Sequence, residues 1–198
     1  MAAYASPGAL KARLLSLMNE KRTVIAAIDG MAASGKTTLA ESLRASIPGC
    51  CIVHMDDFTI PFADRYEGYF DARLSNADVD RFDREVLTPL LEGGGCVYRP
   101  YRCHPQPGFL PPVSVPSGVR CVIVEGAYCL NPQLFDRYHL RALMTVSDET
   151  QRRRILARNG QAQLERFLTQ WIPMENRHIQ AHGLFEKCDL ILSADQDA

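Results

Sequence analysis

No stretch of this chain stays apolar for the roughly 18 residues that a helical membrane span needs. Nor do the first 22 residues hold the apolar run of roughly 7–15 residues and the small-residue cleavage site of a secretory leader. A soluble, cytoplasmic protein is therefore expected. An excess of charge is missing too: 22 Lys and Arg stand against 23 Asp and Glu, for a net charge of −1. Without it there is no bulk attraction to nucleic acid or to an anionic membrane, and neither is expected as a partner. The seven cysteines (Cys50, Cys51, Cys96, Cys103, Cys121, Cys129, Cys188) contain no CxxC pair and are odd in number. This points away from zinc and a disulfide framework and toward reduced thiols. Internal repeats, low-complexity tracts and interdomain linkers are absent as well. What remains is 198 residues, 46% of them apolar and 23% charged, enough for one globular domain.

Hydrophobic periodicity orders that domain. Leu10, Leu14, Leu15, Leu17 and Met18 predict a leading amphipathic helix within residues 1–22. The short β-branched run Thr23–Ile28 predicts a buried strand, and Lys36–Ser46 a helix stopped by Pro48-Gly49. Further strands are expected at Cys51–Met55, Arg120–Gly126, Leu143–Val146 and Asp189–Leu192. Helices are expected from an Asn76 cap to about Leu91, with Pro89 kinking it or ending it early, and over Asp148–Arg158. Leu164–Ile172 and Glu175–Ala181 read as helical around Pro173, and the proline-rich stretch from Cys96 to Pro116 as a surface excursion, with a hairpin one form it could take. Five strands interleaved with helices imply an α/β fold with a parallel sheet and right-handed crossovers.

One motif carries chemistry directly. Gly30-Met-Ala-Ala-Ser-Gly35-Lys36-Thr37 fits GxxxxGK[ST], and it lies between a predicted strand and a predicted helix, as a phosphate-binding loop must. Glycines let successive N–H groups turn around a β-phosphate, and the following helix adds its positive end. Lys36 supplies a point charge for the β and γ oxygens, and Thr37 a hydroxyl for Mg²⁺. The cofactor-binding set is thus Gly30, Ala33, Ser34, Gly35, Lys36, Thr37 and Thr38. An NKxD-type guanine-reading segment is absent, and the strand VIVEG ends in Glu125 rather than in Asp, so a GTPase and a motor-type ATPase are both disfavoured. At Ile52–Phe58 a strand delivers Asp56 and Asp57 to its carboxyl end, where a carboxylate can take the proton of an attacking hydroxyl.

DGMAASGKTT, HMDDF, Tyr69-Phe70-Asp71, the tyrosine-rich Tyr98–His104, VEG at 124–126 and RRRILAR occur in an order that resembles the uridine kinase-like P-loop kinases of the phosphoribulokinase/uridine kinase group, bacterial members above all. The likeness runs over about residues 23–193 and implies a P-loop NTPase fold: a five-stranded parallel sheet flanked by helices, a small lid and a substrate-side excursion. It implies Asp56 as the catalytic aspartate, with Asp57 the alternative, and Thr37, Glu125 and Asp56 as the magnesium set. It also implies Asp71 on ribose hydroxyls, and Tyr98, Tyr101 and His104 in a base-contacting hairpin beside Asp57 and Phe58. Arg154 and Arg158, at i and i+4, resemble lid arginines whose planar fork matches phosphate oxygens, whereas Arg152 and Arg153 read as a solvated face.

The expected organisation is a single domain over 1–198, with an acceptor-binding insertion at 60–116 and a lid at 148–165. The expected activity is ATP- and Mg²⁺-dependent phosphoryl transfer to a small-molecule hydroxyl, with the 5′-hydroxyl of uridine or cytidine favoured. The alternatives are another alcohol (a vitamin precursor, sugar or antibiotic) and a nucleotide sensor without catalysis. Thr59, Asn159 and the prolines of 105–116 depart from the family pattern and bear on the acceptor. A homo-oligomer through the leading helix stays open. Trp171, the only tryptophan, reads as a packed aromatic, and Glu175 has no assigned chemistry.

Overall fold

The computed structural model describes residues 4–65, 67, 74–103 and 105–195. Among them, strands β1 (Val24–Gly30), β2 (Cys50–His54), β7 (Cys121–Glu125), β8 (Leu140–Thr145) and β9 (Leu190–Ser193) form one five-stranded sheet in the order β2-β7-β1-β8-β9. Every pairing in it is parallel, with Ile28 opposite Glu125 and His54 opposite Glu125 at the carboxyl edge. All seven residues of central β1 are buried, which is why its sequence is a continuous apolar run rather than an alternation. Apolar layers cover both faces. Leu10 and Leu14 of α1 (Pro7–Glu20) and Leu39 and Leu43 of α2 (Lys36–Ser46) pack on one face, and Phe58, Phe82, Leu87 and Met174 lie on the other. Each such side chain contributes about 1.5–3 kcal/mol of burial.

The remaining strands are short. β3 (Cys96–Tyr98) pairs antiparallel with β6 (Val113–Val115), and β4 (Tyr101–Arg102) with β5 (Gly108–Phe109). The excursion is thus two small hairpin layers, one nested in the other. Asp71 and His104, expected at the acceptor, lie outside the described residues.

Two helices differ from their expected form. α3 begins at Val79 because the side chain of Asp78, rather than Asn76, accepts from Arg81 N. It runs as Val79–Phe82, a π-type turn Asp83–Leu87, and Thr88–Leu91. Pro89 follows the π-type turn within the continuous helix, which runs on to Leu91, so it does not end the helix early. After α4 (Pro132–Phe135) and α5 (Asp148–Asn159, capped by Ser147), α6 is continuous over Gln161–Arg166, a π-type turn Phe167–Trp171, and Ile172–His182. Pro173 directly follows the π-type turn, and α7 (Leu184–Lys187) comes after α6.

The chain leaves β1 toward β2 at one edge and reaches β8 and β9 on the other side, so the carboxyl ends of the central strands open a crevice between the diverging connections. Gly30 ends β1 with φ +144°, and a Cβ there would stand 2.0 Å from the carbonyl oxygen of Met144 in β8. The loop leaves the sheet through a gap that only glycine fits.

Candidate active site

The loop after β1 wraps the amino end of α2. Gly35 at the helix start has φ 95° and no side chain caps the helix, so its first N–H groups face the crevice as an anion site. Ala33 through Thr38 line a cavity of about 670 Å³, whereas Gly30, at the end of β1, is not part of its lining. Lys36 Nζ donates to the carbonyls of Gly30 and Met31, both at 2.9 Å, which arches the loop over its own ammonium. Ser34 Oγ is buried with no hydrogen-bond partner among the described residues, an orphaned polar atom that fits a bound phosphate. Asp29 anchors the loop from below. Its carboxylate accepts from the backbone N–H of Gly30, Tyr128 and Leu130 at 2.6, 3.1 and 2.8 Å, and His178 Nε2 lies 3.4 Å away. Although burial opposes ionisation, His178 and the backbone donors hold the Asp29 carboxyl below its usual range.

Three carboxylates gather opposite the loop. Glu125 is buried at the end of β7, accepts from Thr37 Oγ1 at 3.2 and 3.3 Å, and meets His54 Nδ1 at 2.6 Å. That contact raises the His54 imidazole, with burial opposing it. Asp56 and Asp57 follow in a 3₁₀ turn, Met55–Phe58, beyond β2. Arg81 fixes this turn by donating to the Asp57 carbonyl at 2.7 Å while its guanidinium stacks 4.4 Å over the Phe58 ring. The Asp56 carboxyl is exposed to the cavity yet walled in by protein. Desolvation raises it, Lys36 pulls it down, and Glu125 pushes it up. Thr37, Glu125 and Asp56 offer hydroxyl and carboxylate oxygens, a hard donor set that fits Mg²⁺. Among the described residues no group of three or more His, Cys, Asp or Glu is arranged to hold a metal alone.

Asp56 also borders a second cavity of about 450 Å³, lined by Asp57, Asn76, Tyr101, Cys103, Trp171 and others. Asp56, Ala127, Phe167 and Glu175 belong to both walls. Tyr101 lines this cavity. Phe58 and Tyr98 do not: they are 0% and 3% exposed, packed 5.0 Å apart between ring centroids, with Phe82 edge-on to Phe58. This corrects their expected substrate contact, because both rings complete the core under the turn. Tyr98 acts only through its hydroxyl, 3.2 Å from Asp57 Oδ2.

Side chains of α5 and α6 reach the loop. Arg154 and Arg158 border the larger cavity, with Arg154 donating to the Ala33 carbonyl at 3.1 Å and Arg158 to Asn159 at 2.7 Å. Arg152 and Arg153 are exposed. Beside them stand Gln151, which sequence reasoning missed, and Glu175, to which it assigned no chemistry. Gln151 Nε2 donates to the Ala32 carbonyl at 2.9 Å, and Glu175 Oε2 accepts from Ala32 N–H at 2.7 Å. Only the Phe167/Trp171/Glu175/His178 spacing along α6 could have signalled one inward face.

No protein-family model matches the chain. It is 31% identical over 136 residues to nicotinamide riboside kinase 2 of Mus musculus, a match spanning 66% of either chain, just under two thirds of that relative's length. Among solved structures, one from Bacillus stearothermophilus described as a possible uridine kinase superposes with a TM-score of 0.68 at 17% identity, over 92% of this chain and 98% of that one. The D-glycerate 3-kinase of Cryptococcus neoformans superposes with a TM-score of 0.67 at 13% identity, over 98% and 97%.

Proposed function

The chain has the fold of the uridine kinase-like P-loop kinases, and on that premise we propose that it transfers the γ-phosphoryl group of ATP to a hydroxyl of a small molecule, the 5′-hydroxyl of a riboside. One observation carries the reading: Asp56 stands on the wall shared by the phosphate-loop cavity and the aromatic cavity. A carboxylate there faces a donor on one side and an acceptor on the other. It aims the acceptor oxygen and takes its proton as that oxygen bonds to the γ-phosphorus; the bond from the γ-phosphorus to the β,γ-bridging oxygen breaks and ADP leaves. Lys36 and the loop amides hold the phosphates, and Arg154 and Arg158 supply positive charge from the lid. Thr37, Glu125 and Asp56 would hold Mg²⁺, which when bound neutralises phosphate charge.

The riboside is supported by the second cavity, whose aromatic walls, Tyr101 and Trp171, offer faces for a flat base. The name of the mouse relative adds nicotinamide riboside to uridine and cytidine as acceptors of this chemical class.

The test is ADP release from ATP and Mg²⁺ with each riboside, with glycerate and with a panel of other hydroxylated metabolites, using Lys36→Ala as blank. Stimulation by a riboside, absent in the blank, supports the proposal. Stimulation only by a non-riboside alcohol keeps the kinase and removes the riboside. Nucleotide binding without acceptor-dependent turnover across the panel favours a nucleotide sensor.

A further inference from the structure

The peptide groups around Ala32, in the middle of the phosphate loop, are gripped from two helices. Gln151 of α5 holds its carbonyl at 2.9 Å, and Glu175 of α6 holds its N–H at 2.7 Å. The Ala32 methyl is itself buried against Ile155 and Leu164 from the same helices. Of these contacts, the one from Glu175 has a distinctive address, because that side chain is on the wall of both cavities. Its helix presents Phe167 to both cavities, Trp171 to the acceptor cavity, Glu175 to the junction and His178 to Asp29 beneath the loop. Spacings of four, four and three residues through the π-type turn and the helix after it keep these four side chains on one face.

We infer that Glu175 is a positioning residue that makes the phosphate loop and the acceptor cavity one mechanical unit. Occupation of the loop by nucleotide is transmitted through Ala32 and Glu175 to the helix face carrying Phe167 and Trp171. A buried carboxylate bonded to a loop amide cannot follow a shift of that amide without moving its helix, and the helix's preceding turn is the acceptor wall. By reciprocity, an acceptor packed on Trp171 alters nucleotide affinity by the same factor that nucleotide alters acceptor affinity. The inference rests on the kinase reading, but its first test needs no acceptor.

Trp171 is the only tryptophan, so its emission reports the acceptor wall alone. ADP with Mg²⁺ is titrated into the wild-type protein while Trp171 emission is followed, and calorimetry measures ADP binding independently. The wild type should show an emission change that saturates with the calorimetric affinity. Glu175→Gln, whose carbonyl can still accept the Ala32 N–H, should retain it. Glu175→Ala should bind ADP yet lose most of the change, and its acceptor KM should rise about fivefold or more while its ATP KM moves less. ADP bound by wild type with unchanged emission overturns the coupling and leaves the kinase reading standing. So does an unchanged wild-type-like response in folded Glu175→Ala. Should Glu175→Ala fail to fold, loss of the response in Glu175→Gln would overturn the role of the Ala32 bond. Failure of the wild type to bind ADP overturns both readings.

Discussion

His54 Nδ1 sits 2.6 Å from Glu125 Oε1, so the carboxylate that meets Thr37 is held from the opposite side by a ring on the neighbouring strand. The two residues are register partners across the parallel β2–β7 pairing, and the contact therefore follows from sheet geometry rather than from a flexible loop. His54→Ala should free Glu125 to swing. The expected result is a rise of about tenfold or more in the Mg²⁺ concentration needed for half-maximal activity, with ADP affinity measured without metal unchanged. A magnesium titration of turnover checks this.

Asp56→Asn keeps the size of the side chain and removes its ability to take a proton. Turnover should fall by about 10²–10⁴-fold while calorimetric ADP affinity stays within about twofold of wild type. A steady-state assay beside the binding measurement separates the two effects.

Burial pushes the Glu175 carboxyl up to about 7 from an ordinary 4.5, against the pull of Lys36 and the Ala32 N–H and with further push from Asp56 and Asp29. Between these values the folded chain holds a proton that the unfolded chain has released. The stability this contributes is fully present below about pH 4.5 and is lost as pH rises through about 7. The loss is at most about 3 kcal/mol. Glu175→Gln, which has no proton to lose, should gain stability relative to the wild type as pH is raised from about 5 to about 8, read as the difference in Tm between the two.

Gly30→Ala would place a methyl 2.0 Å from the Met144 carbonyl oxygen at a backbone φ of +144°. Backbone atoms of β8 cannot retreat without breaking the central pairing, so the variant should lose about 3 kcal/mol or more. Gly93→Ala is the control: its added Cβ meets nothing within 4 Å, and only its φ of +81° opposes it. It should cost about 1–2 kcal/mol. Urea unfolding of the two side by side tests the contrast.

The phosphate loop could be read from sequence because its parts are consecutive: Gly30, Gly35, Lys36 and Thr37 carry their geometry in their own order. Asp56 was legible for a related reason, since a strand run ending in a carboxylate places it at a known sheet edge. The Glu175–Ala32 bond spans 143 positions and the Gln151–Ala32 bond 119, and no local pattern encodes either. Phe58 misled because an aromatic beside an acidic pair has the same appearance whether it faces a ligand or the core, and Tyr98 because a tyrosine in a tyrosine-rich excursion does not show which way its ring points. Only the neighbouring Phe82 and Arg81, brought in by α3, decide it. The two π-type turns escaped because one extra residue per turn breaks the 3.6-residue period from which helices are recognised.

The π-type turn at Phe167–Trp171 has a consequence for how a chain of this fold can diverge. A π-type turn is the footprint of a one-residue insertion in a helix, and losing that residue restores the ordinary winding and swings what precedes it by about 100°. Glu175 and His178 lie beyond the point of change and would keep their places, while Phe167 would rotate away from the wall shared by the two cavities. A single codon gained or lost there would therefore reshape the shared wall while leaving the phosphate loop's anchors untouched, a route to new ligands that runs through chain length instead of substitution.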